Sequence, residues 1–238
     1  MPLRCNYLRK KNKLKSPHVL ALLLVCTICM LCCGFSIIFS APSDYPAMCA
    51  GCDPITGYDA WASNDAQETH NYLAYWGYPL EADDPFTSSE ATRSAILDRI
   101  EFKRVFYFSG HGGIVNGYTV FLAWDGYVYS YEIDERVSVS NSYFFVFIDA
   151  CESIAEIDMA SAFIVSPSEG CYVGWRTPVS WESATEFRRY FLEYIDYTGC
   201  SVYDALIYVA NLTGNYSWDF YGAAIDVYLK QGSLGGAD

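Results

Sequence analysis

The hydrophobic pattern divides the chain into two unlike parts. Val19 to Ser40 is a run of 22 residues with no charged side chain. At about 1.5 Å rise per residue it spans roughly 33 Å as a helix, enough to cross a hydrocarbon core. Beyond it the apolar residues come in short bursts between polar and glycine-rich segments.

Those bursts predict elements. Residues 41–64 are rich in Pro, Gly, Asp and Ser and read as a tether. Asp65 to Trp76 has helical spacing and is stopped by Gly77-Tyr78-Pro79. A second helix is expected from Ser88 to Ile100, with Ala91, Ala95, Ile96 and Ile100 on one side. Val105 to Phe108 is a short apolar run that halts at Ser109-Gly110-His111-Gly112-Gly113, the look of a buried parallel strand entering a loop. Tyr118–Ala123 and Tyr127–Tyr131 flank Asp125-Gly126 and predict a hairpin. Tyr143 to Ile148 and Cys171 to Trp175 read as strands. Trp181–Tyr197 reads as a helix stopped by Gly199, and Ser201–Ala210 as a helix capped by Ser201. Ala224 to Leu229 is a last candidate strand. Strands alternating with helices predict an α/β fold with a mainly parallel sheet over 65–238. In such sheets chemistry gathers at the carboxyl ends of the strands.

Charge adds a direction. Residues 1–40 carry six Lys/Arg and no Asp or Glu, all before the apolar run. The positive-inside rule puts 1–18 in the cytoplasm, 19–40 across the cell membrane as one transmembrane helix, and the rest outside. A cleaved signal peptide fits less well. The apolar run is longer than the usual 7–15 residues, Ile38 is not small, and Pro42 follows the candidate cut. The full chain has a formal net charge of -13, and residues 41–238 hold nine basic against 28 acidic residues. That surface repels phosphate backbones and excludes nucleic acid as a partner. Oligomeric state is not legible.

Five cysteines fall in the outer part. Cys49 and Cys52 are candidates for a local disulfide or a free pair, and Cys171 and Cys200 for a second disulfide. A zinc site at Cys49-Ala-Gly-Cys52 lacks a second ligand pair, so no metal is expected. Asn211-Leu-Thr213 and Asn215-Tyr-Ser217 are glycosylation sequons.

The outer part has two histidines. His70 sits mid-helix among polar residues, whereas His111 lies between glycines at a strand end. Glycines there allow close approach of a substrate backbone and leave amides free for an oxyanion. Cys151 follows a strand instead of sitting in its body, where a structural thiol would be buried. A thiolate is the useful nucleophile, and a neighbouring imidazole helps to form it.

Phe108-Ser109-Gly110-His111-Gly112-Gly113 followed by Phe147-Ile148-Asp149-Ala150-Cys151-Glu152-Ser153 resembles the paired His-Gly and Ala-Cys signatures of the caspase-like cysteine peptidases. That group includes caspases, legumains, gingipains and clostripain. The resemblance implies a six-stranded α/β/α sandwich and a peptide or protein substrate. It implies Cys151 as nucleophile, His111 as general acid/base in a dyad, and Gly112 in the oxyanion hole. Gly110, Asp149, Glu152, Trp175 and Arg176 are the implied candidates for the substrate pocket. Arg176, if it faced the site, would favour an acidic residue before the cut bond, whereas the acidic surface favours Lys or Arg there. An ordinary surface or structural charge is the preferred reading of Arg176, and the specificity stays open. No cofactor is implied; some relatives use Ca²⁺, but no dedicated loop is present here.

The first strand such a fold requires is not evident before Asp65. It is either degenerate within 44–62 or trimmed away. Its absence would favour a second reading, a non-catalytic binding or scaffold module. Transpeptidation at the same thiol is a third.

Overall fold

The computed structural model describes residues 45–81 and 84–230. The expected span over 19–40 lies outside them, and among the described residues no helix is long and apolar enough to cross a membrane.

The strand that the sequence hides is present. β1 (Ala47–Gly51, AMCAG) is fully buried, so residues 41–64 are not a simple tether. Its residues are small and weakly strand-forming, which conceals it from pattern reading. Smallness is needed because α1 (Asp59–Tyr75) crosses close by. A Cβ on Gly51 would lie 2.2 Å from the Ala62 carbonyl oxygen. The helix starts at Asp59, six residues before the expected point.

The remaining elements follow in order. β2 (Phe86–Thr87) and a 3₁₀ turn (Ser88–Glu90) lead to α2 (Arg93–Ile100), so the helix expected from Ser88 is broken at Ala91-Thr92. Thr92 caps it, its hydroxyl accepting from the Ala95 amide at 3.2 Å. β3 (Val105–Ser109) is followed by β4 (His111–Val115), β5 (Tyr118–Ala123) and β6 (Gly126–Tyr129). Then come α3 (Ser130–Asp134), β7 (Phe145–Asp149), α4 (Asp158–Phe163) and β8 (Cys171–Trp175). α5 (Trp181–Thr198) ends at left-handed Gly199. α6 (Val202–Thr213) is capped by Ser201, and β9 (Trp218–Gly222) closes the fold. The last strand therefore lies at 218–222 and not at 224–229. Trp218 and Phe220 reach one face of the sheet, while Ala224, Val227 and Leu229 pack beneath it from a turn.

The main sheet has the order β2-β1-β3-β7-β8-β9, parallel except for β9. This is an α/β fold with a mainly parallel central sheet. α1, α5 and α6 cover one face with Ala66, Leu73, Phe187, Phe191 and Leu206. α2, α4 and the small antiparallel sheet β4-β5-β6 cover the other with Ile96, Phe121, Met159 and Phe163. Burial on both faces explains the unbroken apolar runs VFYF and FVFI.

Register places the site. Gly51 of β1, Ser109 of β3 and Asp149 of β7 are side-by-side partners across three adjacent parallel strands. Each strand ends there, so their next residues leave the same edge at one level.

Candidate active site

Two residues beyond each of those aligned ends stand Asp53, His111 and Cys151. Neighbouring strands are about 4.8 Å apart, so the three side chains are delivered to adjacent positions on one rim. Short backbone links extend the ladder past the strands: the Cys52 amide donates to Ser109 O at 3.1 Å and the Gly110 amide to Asp149 O at 3.3 Å.

His111 and Cys151 line one small cleft of about 80 Å³, with Gly110, Asp149, Ala150, Val179, Trp181 and Ala184. His111 Nε2 donates to Asp53 Oδ1 at 3.0 Å, and the Trp181 ring stands edge-on to the imidazole at 5.6 Å. Asp53 was not singled out in the sequence. Its side chain is fully buried, and it accepts from the amides of Ile55 (2.9 Å), Thr56 (2.8 Å) and Tyr58 (2.9 Å) and from the Thr56 hydroxyl. Burial alone would raise its pKa, but these hydrogen bonds outweigh it and hold the carboxyl well below the usual range. The group is thus an anion fixed on Nε2, and Nδ1 is the nitrogen left for proton transfer. The signal that could have found it is Asp53-Pro-Ile-Thr56, an Asp bonding the amides two and three residues on.

Cys151 begins the loop after β7. The Val179 amide donates to its Sγ at 3.4 Å, and Sγ lies 3.5 Å from the Val179 carbonyl oxygen. Glu152 next to it has φ +56, a left-handed conformation that turns the chain sharply behind the thiol. Gly112 meets this loop at close range: a Cβ there would lie 2.6 Å from Cys151 O and 2.9 Å from Ala150 Cβ. Gly110 is equally constrained, by the Phe108 ring at 2.7 Å and Cys52 O at 2.8 Å.

A buried polar cluster sits under the cleft. Asp149 accepts from Trp175 Nε1 at 2.7 Å and from the Tyr107 hydroxyl at 3.2 Å. Burial first, and then the Asp65 carboxylate, pushes Asp149 up to about 7. Asp65 accepts from Arg188 Nη2 at 2.8 Å and from the Thr185 hydroxyl at 2.8 Å, and Arg188 also reaches Glu68 at 2.7 Å. Trp175 is therefore a support of the pocket floor and is itself fully buried.

Other expected residues fall elsewhere. Arg176 does not line the cleft. It forms an ion pair with Asp219 on β9 and is mostly exposed. Glu152 lies beside β4, its Oε2 3.7 Å from where a Gly113 Cβ would stand. Cys49, Cys52, Cys171 and Cys200 are free thiols. Cys49 and Cys52 cannot meet locally, because they pack into the cores on opposite faces of the sheet. Cys171 is buried and burial pushes its thiol well above its ordinary value, while Cys200 is half-buried at the start of the α6 turn. Asn211 is exposed at the end of α6, and its Oδ1 accepts from the Tyr216 hydroxyl at 2.9 Å. Asn215 is half-buried and accepts from the Ser217 amide at 3.0 Å. Among the described residues no group of three or more His, Cys, Asp or Glu is placed to hold a metal ion.

No protein-family model matches the sequence, and no curated protein is significantly similar to it. Solved structures are similar to it in fold. A structural-genomics protein from Geobacter sulfurreducens aligns at TM-score 0.54 and 13% identity, over 79% of this chain and 97% of its own. The Arg-specific cysteine proteinase gingipain R aligns at 0.56 and 12%, over 79% and 48%, so the chain spans about half of it. The Drosophila initiator caspase Dronc aligns at 0.55 and 11%, over 83% and 89%. The chain has a caspase-like fold.

Proposed function

We propose that this caspase-like chain is a cysteine endopeptidase held on the outer face of the cell membrane by residues 19–40. The observation that carries the reading is the alignment of Asp53, His111 and Cys151 two residues past three register-matched strand ends. His111 Nδ1 takes the Cys151 thiol proton, and the thiolate attacks the carbonyl carbon of the substrate peptide bond. The oxyanion is held by the Gly112 and Cys151 amides, a donor pair of which each member is worth about 3 kcal/mol of barrier. The imidazolium returns its proton to the leaving amine, giving a thioester. Water, deprotonated by His111, then attacks the thioester and releases the acid and the thiol. Asp53 keeps the Nε2–H tautomer and balances the imidazolium.

Among the described residues no Lys or Arg lines this cleft to meet an acidic residue before the cut bond, since Arg176 is engaged with Asp219 and the carboxyl group in the lining is Asp149. The reading is tested by digestion of a peptide library with residues 41–238. Cleavage by the native chain and none by Cys151→Ala is expected. Equal digestion by both would remove the proposal.

A further inference from the structure

The small sheet carries a feature that the reaction alone does not use. β4 and β5 are joined by Asn116-Gly117, both at positive φ (53° and 82°), a two-residue type I′ turn. The residues flanking such a turn, Val115 and Tyr118, form a hydrogen-bonded pair. Pairs alternate along an antiparallel ladder, so Gly113–Val120 and His111–Leu122 are bonded too. Gly112 and Ile114 are then the non-bonded positions, and their N–H and C=O groups point out of the free edge of β4. An independent contact agrees: the Thr119 amide, opposite Ile114, donates to Asp158 Oδ2 at 2.9 Å and not to β4. The far edge is closed off differently, because β6 packs against α2 and α3. Among the described residues no backbone hydrogen bond outside the ladder reaches Gly112 or Ile114.

We infer that the free edge of β4 is a docking strand for the part of the substrate chain beyond the cut bond. The inference rests on the peptidase reading. The outward amide of Gly112 is the oxyanion donor, so the scissile carbonyl sits on the first rung of this edge. The next outward rung, Ile114, lies two residues on, about 6.8 Å away, which is the repeat of an extended peptide. A chain leaving the cleft along this edge meets Gly112 C=O and then Ile114 N–H and C=O without any rearrangement. The occupant is an extended polypeptide recognised through its main chain, by addition of a strand to a sheet edge. This makes the enzyme dependent on residues after the cut bond and selective for unstructured segments over single-residue leaving groups.

The test uses the full chain in detergent and one peptide made in several forms. The forms carry one or four residues after the cut bond, or a single N-methyl group at each successive amide there. Truncation is expected to lower kcat/KM by about fivefold or more, as loss of a ladder hydrogen bond does. N-methylation is expected to hurt at alternate residues only, since every second amide faces β4. Equal kcat/KM for all forms would overturn the inference while leaving the peptidase reading intact. Equal rates together with a dimer in sedimentation would assign the edge to a second copy of the chain. Cleavage of none of them would overturn the peptidase reading and this inference with it.

Discussion

His111 Nε2 lies 3.0 Å from a carboxylate oxygen of Asp53, a residue 58 positions earlier in the chain. The contact joins the first residue of β4 to the loop after β1, and it exists because Gly51 and Ser109 are partners across the sheet. It places a buried anion behind the imidazole of the proposed dyad.

Asp53→Asn removes the anion and offers Nε2 a side chain that can favour the wrong tautomer. A fall in kcat of about 10²-fold or more is expected, with KM little changed. The substitution also costs an acceptor used by the amides of Ile55, Thr56 and Tyr58, so a loss of about 1–3 kcal/mol in stability accompanies it. Steady-state kinetics beside denaturant unfolding separates the two effects. An unchanged kcat in a stably folded variant would show that Asp53 only builds its turn.

Asp149 titrates near 7 in the folded chain against an ordinary value of 3.8. Between those values the folded chain keeps a proton that the unfolded chain has lost. Its contribution to stability is therefore greatest below about pH 4, declines as pH rises, and is gone above about pH 7. A shift of about three units corresponds to at most ~4 kcal/mol. Asp149→Asn is expected to flatten the unfolding free energy between pH 4 and pH 7 and to be the more stable chain at pH 8. Parallel pH slopes for the two chains would contradict this.

Gly112→Ala pushes a methyl group against Cys151 O and Ala150 Cβ, at 2.6 and 2.9 Å. Backbone atoms cannot give way cheaply, so the oxyanion amides separate. The expected kcat loss is about 10²-fold. Gly117→Ala, at the far end of the hairpin, strains the turn without touching the cleft and is expected to cost stability in preference to kcat. Rate and melting temperature on both variants check the contrast.

Residues 19–40 are expected to keep the full chain in the membrane fraction through an alkaline carbonate wash, while residues 41–238 remain in the supernatant. Full-length protein released by the wash would remove the anchor from the account.

The strands that precede His111 and Cys151, β3 and β7, were legible because they are buried on both faces and read as unbroken apolar runs. The Cys171–Trp175 strand was legible for the same reason, and both C-terminal helices through their one-sided apolar spacing and their Ser and Gly caps. β1 was not, because close packing of α1 selects Ala, Cys and Gly there and erases the strand signal. Missing β1 also concealed Asp53: its turn motif is local and readable, but its place beside His111 depends on the β1–β3 register. The absent first strand had favoured a non-catalytic module, and that support is gone. Arg176 stands where the surface-charge reading put it, outside the cleft and paired with Asp219 through the β8–β9 contact, a partner that only the sheet pairing reveals. Cys49 and Cys52 are the free pair and not the local disulfide, because Cys49 in β1 and Cys52 just after it pack into the cores on opposite faces of the sheet.

The most direct measurement is the site of covalent labelling by a peptidyl thiol-reactive electrophile, mapped by mass spectrometry on residues 41–238. The expected adduct is on Cys151 alone among Cys49, Cys52, Cys151, Cys171 and Cys200, lost in Cys151→Ala and slowed at least about 10²-fold in His111→Ala. Labelling at another cysteine, or at an unchanged rate without His111, would contradict the assignment of this pair.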